Sequence, residues 1–281
     1  MSNLVANIAK GVIGKFQKKQ KISDYDAISW FKEKLLKHQD DVNVKQIDLK
    51  HFKLFYKRPY EVLHTYKEIF ENEIYFFSAD SNKPVIIDCG ANIGLSAIYF
   101  KLLYPDSTVV AFEPDNNNFE LLKKNSELNN FKNVELHKKA VWIKDGTISF
   151  EANESEASRI NEENADNADN ATLVECIKLA SFLSNYQKID FLKMDIEGAE
   201  DKVIHDCSDV LINIQNMFIE YHGKTKETEK LTKMLSLFEE KGFLVYIKNA
   251  ADELKHPFID KETPYKYDVQ LNIFCYKKDN Q

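Results

Sequence analysis

Val85-Ile86-Ile87-Asp88-Cys89-Gly90-Ala91-Asn92-Ile93-Gly94 decides the fold. Three apolar residues, two of them β-branched Ile, form a run suited to a strand covered on both faces. An acid closes the run and a glycine turn follows. Leu95, Ile98, Tyr99, Leu102 and Leu103 then recur at helical spacing. Strand, glycine turn and helix in that order open a nucleotide-binding βαβ unit. Gly90 is expected to allow the tight turn, and Gly94 a close approach to a ligand.

The spacing narrows the ligand. A dinucleotide site needs G-x-G-x-x-G, with pyrophosphate on the helix N-terminus. Here the pattern is D-x-G-x-N-x-G, without the third glycine, and Asp88 would repel phosphate. An acidic strand end suits a cation, such as the amino group of an amino-acid moiety. The next apolar run, Val109-Val110-Ala111-Phe112, ends in Glu113-Pro114. A carboxylate there can accept both hydroxyls of a ribose. An amino-acid cation plus a ribose describes S-adenosylmethionine. The glycine spacing argues against a nicotinamide cofactor.

Further acids mark later strand ends. Ile189 to Asp195 reads as a fourth strand and Met217 to His222 as a fifth, ending in Asp195 and in Glu220 with His222. Ligands of open parallel sheets bind outside the carboxyl ends of the strands. Asp88, Glu113, Asp195, Glu220 and His222 are therefore expected around one crevice. Val134 to His137 is the third strand, and Ala140 after it is a candidate adenine contact.

The 281 residues are 43% hydrophobic and 30% charged, with a net charge of −7. That is a globular composition with room for one large α/β domain and an added segment. The acidic balance argues against a nucleic-acid partner, as does the lack of an Asn-Pro-Pro-Tyr or Asp-Pro-Pro-Tyr stretch for a flipped base. Cys89, Cys176, Cys207 and Cys275 are scattered, without a C-x-x-C pair. They read as reduced thiols of a cytosolic protein. No apolar run reaches membrane-spanning length, and no secretory signal is visible.

Residues 1–22 place Leu4, Val5, Ile8, Val12, Ile13 and Phe16 on one helical face, with five lysines elsewhere. Such a helix suits an anionic membrane surface, or docking on its own domain or on a second subunit. Residues 24–83 read as an accessory region. It has a helix from Ala27 to His38, strands within Gln46 to Tyr56, a helix from Tyr60 to Phe70 and a strand from Ile74 to Phe77. Arg58, His64 and Tyr66 could face a substrate or simply pack. An Asn/Asp/Ala-rich stretch near 152–172 has too few apolar residues to order itself and reads as a mobile loop. Arg159 within it is a candidate grip for an acidic substrate.

Asp88-Cys89-Gly90-Ala91-Asn92-Ile93-Gly94, Phe112-Glu113-Pro114, Lys193-Met194-Asp195-Ile196-Glu197-Gly198-Ala199-Glu200 and Glu220-Tyr221-His222 together resemble the FkbM family of S-adenosylmethionine-dependent methyltransferases. The likeness covers roughly residues 85–222, and the Lys-x-Asp-x-Glu-Gly-Ala-Glu block is its most specific part. Leu179-Ala180 departs from a Leu-Asp pair frequent in the family. The resemblance implies a class I, Rossmann-like fold: a mostly parallel seven-stranded sheet with helices on both faces. It implies residues 81–281 as the methyl-transfer domain, behind an accessory segment at 1–80. It implies O-methylation of a hydroxyl on a sugar, glycan or related secondary metabolite, leaving S-adenosylhomocysteine. Asp88, Gly90, Asn92, Gly94, Glu113, Pro114, Ala140 and Asp195 are the expected cofactor residues, and Arg159 and Glu197 the substrate residues.

An alcohol must lose its proton during transfer, and His222 is the expected base, aided by Asp195 and Glu220. The preferred version is metal-free. In a second version, Mg²⁺ on Asp195 and Glu220 acidifies the hydroxyl. A catalytically inactive scaffold that binds the cofactor is the competing reading from outside enzymology.

Overall fold

The computed structural model describes residues 28–151, 159–161, 172–252, 254–260 and 265–277, with backbone alone at 150–151, 159–161 and 172. Its centre is a seven-stranded sheet built from β3 (Val85–Cys89), β4 (Thr108–Phe112), β5 (Val134–His137), β10 (Ile189–Met194), β11 (Ile214–Gly223), β12 (Phe243–Ala251) and β13 (Val269–Lys277). The order across it is β12-β13-β11-β10-β3-β4-β5, and β13 alone runs antiparallel to its neighbours. This is the class I methyltransferase sheet expected from the sequence. The chain runs outward from β3 to β5 and returns to the other side of β3 at β10. A switch of direction at that point opens a crevice at the strand ends.

The strands alternate between two cores. Ile86, Val109 and Phe191 face one, and Ile87, Val110 and Leu192 the other. Each of these is almost fully enclosed, and burying a side chain of this kind contributes about 1.5–3 kcal/mol. One face is covered by α5 (Leu179–Leu183), α6 (Glu200–Asp206) and α7 (Thr228–Glu240). The other is covered by α3 (Leu95–Leu103) and the accessory segment, with Leu122 of α4 (Asn116–Leu128) joining them.

The accessory segment holds α1 (Trp30–Lys37), the hairpin β1 (Lys45–Asp48) and β2 (Lys53–Tyr56), and α2 (Pro59–Tyr66), which runs into a π-helical turn at Lys67–Glu71. Ile74 to Phe77 is not a strand. Those aromatics serve as anchors instead. The Phe77 ring lies 4.7 Å from that of Phe191, and Tyr75 meets Phe218 edge-on at 4.8 Å. Asn125 of α4 fastens the hairpin: it accepts from the Phe55 N–H at 2.6 Å, and its amide donates to the carbonyls of Phe55 and Ile93. In α1, Trp30, Phe31 and Leu35 are exposed, and only Leu36 turns fully into the core.

A second, four-stranded sheet of order β6-β9-β7-β8 comprises β6 (Ala140–Trp142), β7 (Gly146–Glu151), β8 (Arg159–Asn161) and β9 (Thr172–Lys178). Within the stretch expected to be a mobile loop, residues 159–161 are therefore paired backbone, with Arg159 opposite Glu151. The rest of that stretch, and the basic segment 1–22, lie outside the described residues. Among the described residues, no helix is long and apolar enough to cross a membrane.

Candidate active site

A cavity of about 310 Å³ opens at the carboxyl ends of β3, β4, β10 and β11, and the accessory segment forms its far wall. Gly90, Asn92, Glu113 and Pro114 line one end, with Ala140 beside them. Asp195, Glu197 and Glu220 line the other. Arg58, Glu61, His64 and Glu68 face them from α2 and the turn that follows.

The β3–α3 turn is fixed by its backbone. The Gly90 and Ala91 N–H groups donate to the Phe112 carbonyl at 3.0 and 2.9 Å. Glu113 accepts the Asn92 N–H at 2.8 Å on one oxygen and the Asp115 N–H at 2.9 Å on the other. Asn92 sits at φ 49°, a left-handed conformation that Asn tolerates well. Burial pushes the Glu113 carboxyl up to about 7, against the pull of those two N–H donors. Each oxygen keeps a lone pair for a further donor.

Two of the expected roles change. Asp88 lies inside β3, fully buried and off the cavity wall. It accepts from the Ser96 hydroxyl and stands 3.4 Å from Lys193 Nζ. It lies beneath the turn, enclosed by the sheet. Gly94, at φ 95°, is required by its left-handed backbone, and a Cβ there would also press on the Leu122 side chain, 2.7 Å from Cδ1. Gly90, at φ 83°, is required by a crossing of chains, since its Cβ would sit 1.8 Å from the Asp195 carbonyl oxygen.

Lys193 is a site residue that motif reading passed over. It is 3% exposed, donates to the Gly90 carbonyl at 2.6 Å, and lies 3.5 Å from Asp195. Burial opposes its charge, but Asp88 and Asp195 outweigh burial and keep it protonated. The signal was present in the sequence, because a lysine inside an apolar strand buried on both faces needs an anionic partner.

His222 also departs from expectation. It is 7% exposed and does not line the cavity. Its Nδ1 lies 3.2 Å from Glu200 Oε1. Burial works to lower its pKa, yet Glu200, Glu197 and Asp195 together raise it to about 10. In this form His222 already carries its proton at neutral pH and has no free lone pair for a hydroxyl proton.

Glu200, at the first position of α6, is fully buried and folds back to accept the N–H groups of Ile196 and Gly198 at 3.1 Å each. Glu197 takes a left-handed backbone (φ 62°), and its carbonyl accepts the Tyr267 hydroxyl. Burial pushes the carboxyl of Glu197 up to about 7. Burial, with Asp195 nearby, pushes that of Glu220 up to about 8. Two carboxyls thus hold protons poorly matched to their ordinary range, at the tips of β10 and β11. Arg159 contributes only its backbone position to this description.

Comparison with known proteins agrees with the architecture. The family model for the methyltransferase FkbM domain matches residues 88–245. Methyltransferase 1 of Beauveria bassiana (strain ARSEF 2860) is 26% identical over 209 residues, covering 66% of this chain and 83% of its own length. Methyltransferase sdnD of Sordaria araneosa is 28% identical over 212 residues, covering 63% and 80%. The solved FkbM methyltransferase from Methylobacillus flagellatus KT aligns at a TM-score of 0.46 and 17% identity, over 77% of this chain and 54% of that one. The present chain thus spans about half the length of that structure. The family match takes in more than half of the sequence and both ends of the cavity. The chain belongs to the FkbM family of methyltransferases.

Proposed function

We propose that the protein transfers a methyl group from S-adenosylmethionine to a hydroxyl of a sugar, glycan or related secondary metabolite. The observation that carries this reading is one cavity with a hydroxyl-accepting carboxylate, Glu113, at one end and the carboxyls of Asp195, Glu197 and Glu220 at the other. Glu113 has lone pairs left for ribose hydroxyls, and Ala140 with Pro114 offers apolar surface for an adenine. The acidic end suits the positive sulfonium and amino group. The fold and the residues present therefore fit this cofactor.

The cofactor supplies a methyl already activated on sulfur. Held by Glu113, Pro114 and Ala140, it would deliver that methyl to the acceptor oxygen, the electron pair of the broken carbon–sulfur bond staying on sulfur. The hydroxyl proton passes to a carboxylate at the tips of β10 and β11. The chain aligns donor and acceptor and excludes water, and alignment alone can account for several kcal/mol of the barrier, on the order of 7–11. The wall formed by Arg58, Glu61, His64 and Glu68 is polar, in keeping with a hydroxylated acceptor. Residues 1–80 serve as the accessory segment and 81–281 as the transfer domain. The four cysteines are buried free thiols, in keeping with a reducing compartment.

Calorimetric titration with S-adenosylhomocysteine tests the reading. Wild-type protein is expected to bind at micromolar concentration. Glu113→Ala is expected to weaken binding about tenfold to a hundredfold, the scale of lost hydrogen bonds to a charged group. Folded wild-type protein that does not bind would remove the basis of the proposal. Equal binding by the mutant would remove Glu113 from the site.

A further inference from the structure

The tip of β11 is built to aim one imidazole nitrogen. Glu200 holds His222 Nδ1 and is itself fixed by two backbone N–H groups. The ring also lies 5.1 Å from that of Tyr267. With Nδ1 engaged, Nε2 faces the carboxyls of Glu220 and Glu197, which line the acidic end of the cavity. It lies 3.7 Å from Glu220 Oε1 and 3.8 Å from Glu197 Oε2, and makes no hydrogen bond among the described residues. A direct pair between imidazolium and carboxylate would close to roughly 2.7–2.9 Å. Two donors sharing one ion at about 2.0–2.2 Å stand roughly 3.0–3.5 Å apart. One ligand atom from each of Asp195, Glu197 and His222 falls within 4.8 Å of the others. The Nε2–carboxylate separations are too long for hydrogen bonds, and small side-chain movements would bring the three donors onto one ion.

The environment behind the histidine points the same way. A metal-bound imidazole commonly has its second nitrogen held by a carboxylate, which fixes ring orientation. Glu200 stands in that place, buried and away from the cavity.

We propose that Asp195, Glu197 and His222 bind a divalent first-row transition cation of the Mn²⁺ to Zn²⁺ type, with Glu220 beside it. A mixed nitrogen and oxygen donor set favours such ions over Mg²⁺ or Ca²⁺, which prefer oxygen alone. The site departs from the metal-free expectation and from one made of Asp195 and Glu220 only. Binding requires a neutral imidazole, so the histidine proton is released as the ion enters. Glu200 is then a positioning residue. The proposed role of the ion rests on the methyl-transfer reading: it would bind the acceptor hydroxyl and ease loss of its proton to a neighbouring carboxylate. The existence of the site does not depend on that reading.

The test uses the purified full chain after chelator treatment and dialysis. Mn²⁺ is titrated in while the spin-resonance signal of the free ion is followed, and melting is recorded with and without Mn²⁺. One ion per chain should bind. Glu197→Gln and Asp195→Asn should each weaken binding at least tenfold and lose the upward shift in melting temperature. Glu200→Gln should keep some binding but need a higher concentration of the ion. S-adenosylhomocysteine binding is measured on the same samples. Cofactor binding without Mn²⁺ binding would overturn the cation site and leave the methyl-transfer reading standing. Mn²⁺ binding without cofactor binding would support the cation site and overturn that reading. Variants that bind Mn²⁺ as the wild type does would overturn this assignment of ligands.

Discussion

The two ends of the cavity are built on opposite principles. At the β3–β4 end, most polar groups of the turn find partners within the chain: Glu113 takes two backbone N–H groups, Ser96 donates to one oxygen of Asp88, and Lys193 donates to the Gly90 carbonyl and offsets the charge of Asp88 from 3.4 Å. At the β10–β11 end, four acidic side chains crowd one histidine, and only Glu200 lies within hydrogen-bond distance of it. The first end is tied together by its own hydrogen bonds. The second holds charges in conflict, which a cation, a proton or a substrate can relieve. Shape is kept at one end and reactivity at the other, as is common where perturbed groups gather at functional sites.

The seam between the two ends offers the hardest test. Gly90→Ala would drive a Cβ into the Asp195 carbonyl in a left-handed backbone. The expected loss is about 4–5 kcal/mol of stability, in the range reserved for core clashes and backbone strain. Denaturant unfolding measures it, and a loss below 1 kcal/mol would mean that the two turns are not locked together. Lys193→Met removes the cation shared by both ends and leaves Asp88 buried without its charge partner. Breaking a buried pair in this way costs roughly 3–5 kcal/mol. A mild effect would show that the β3–β4 end does not depend on Lys193.

The acidic end should reveal itself through pH. His222 has a folded pKa of about 10 against an ordinary 6.5, so its contribution is complete below 6.5 and is lost as pH rises toward 10. Glu197 and Glu220, raised from 4.5 to about 7 and about 8, act in the same direction across lower windows, as does Glu113 at the other end, raised to about 7, so the fall above pH 8 is the part specific to His222. The melting temperature without added metal should therefore fall between pH 6 and 9, by about 5 °C for a chain of this size. A flat profile would break the contrast between the ends. Glu220→Gln should have the smallest effect, a gain of a few tenths of a kcal/mol at pH 8 from removing one strained carboxyl. Destabilisation there would mean that Glu220 is better satisfied than its surroundings indicate.

The sheet and the β3–β4 end were legible because local signals carry them. Apolar runs from Val85 and from Val109, the glycine turn and the acid at Glu113 are each confined to a few residues. The acidic end was legible only as a list of acids. His222 was expected to be a base because histidine titrates near neutrality. Its placement beside Glu200, 22 positions earlier in the chain, reverses that. Asp88 was assigned to a ligand because it closes an apolar run, but the strand continues beyond it to Cys89 and encloses it. Gly94 is expected to allow a ligand's approach, yet it lies off the cavity wall, and what requires glycine there is a left-handed backbone at the helix start. Residues 74–77 alternate like a strand because Tyr75 and Phe77 must both face the sheet, and among the described residues no partner strand lies alongside them. Long-range partners account for most of these differences.

The aromatic contacts of Tyr75 and Phe77 and the amide clasp of Asn125 have a consequence for how this enzyme can change. The wall opposite the strand tips is not a module that can be traded between relatives, because its underside is the core of one face of the sheet. On the methyl-transfer reading proposed above, acceptor preference would change through residue replacement on the inner surface of that wall, at Arg58, Glu61, His64 and Glu68. Wholesale exchange of the first eighty residues would strip Phe191 and Phe218 of their cover. Libraries confined to those four positions should yield soluble variants with altered acceptors, whereas chimaeras joined near residue 80 should yield aggregates.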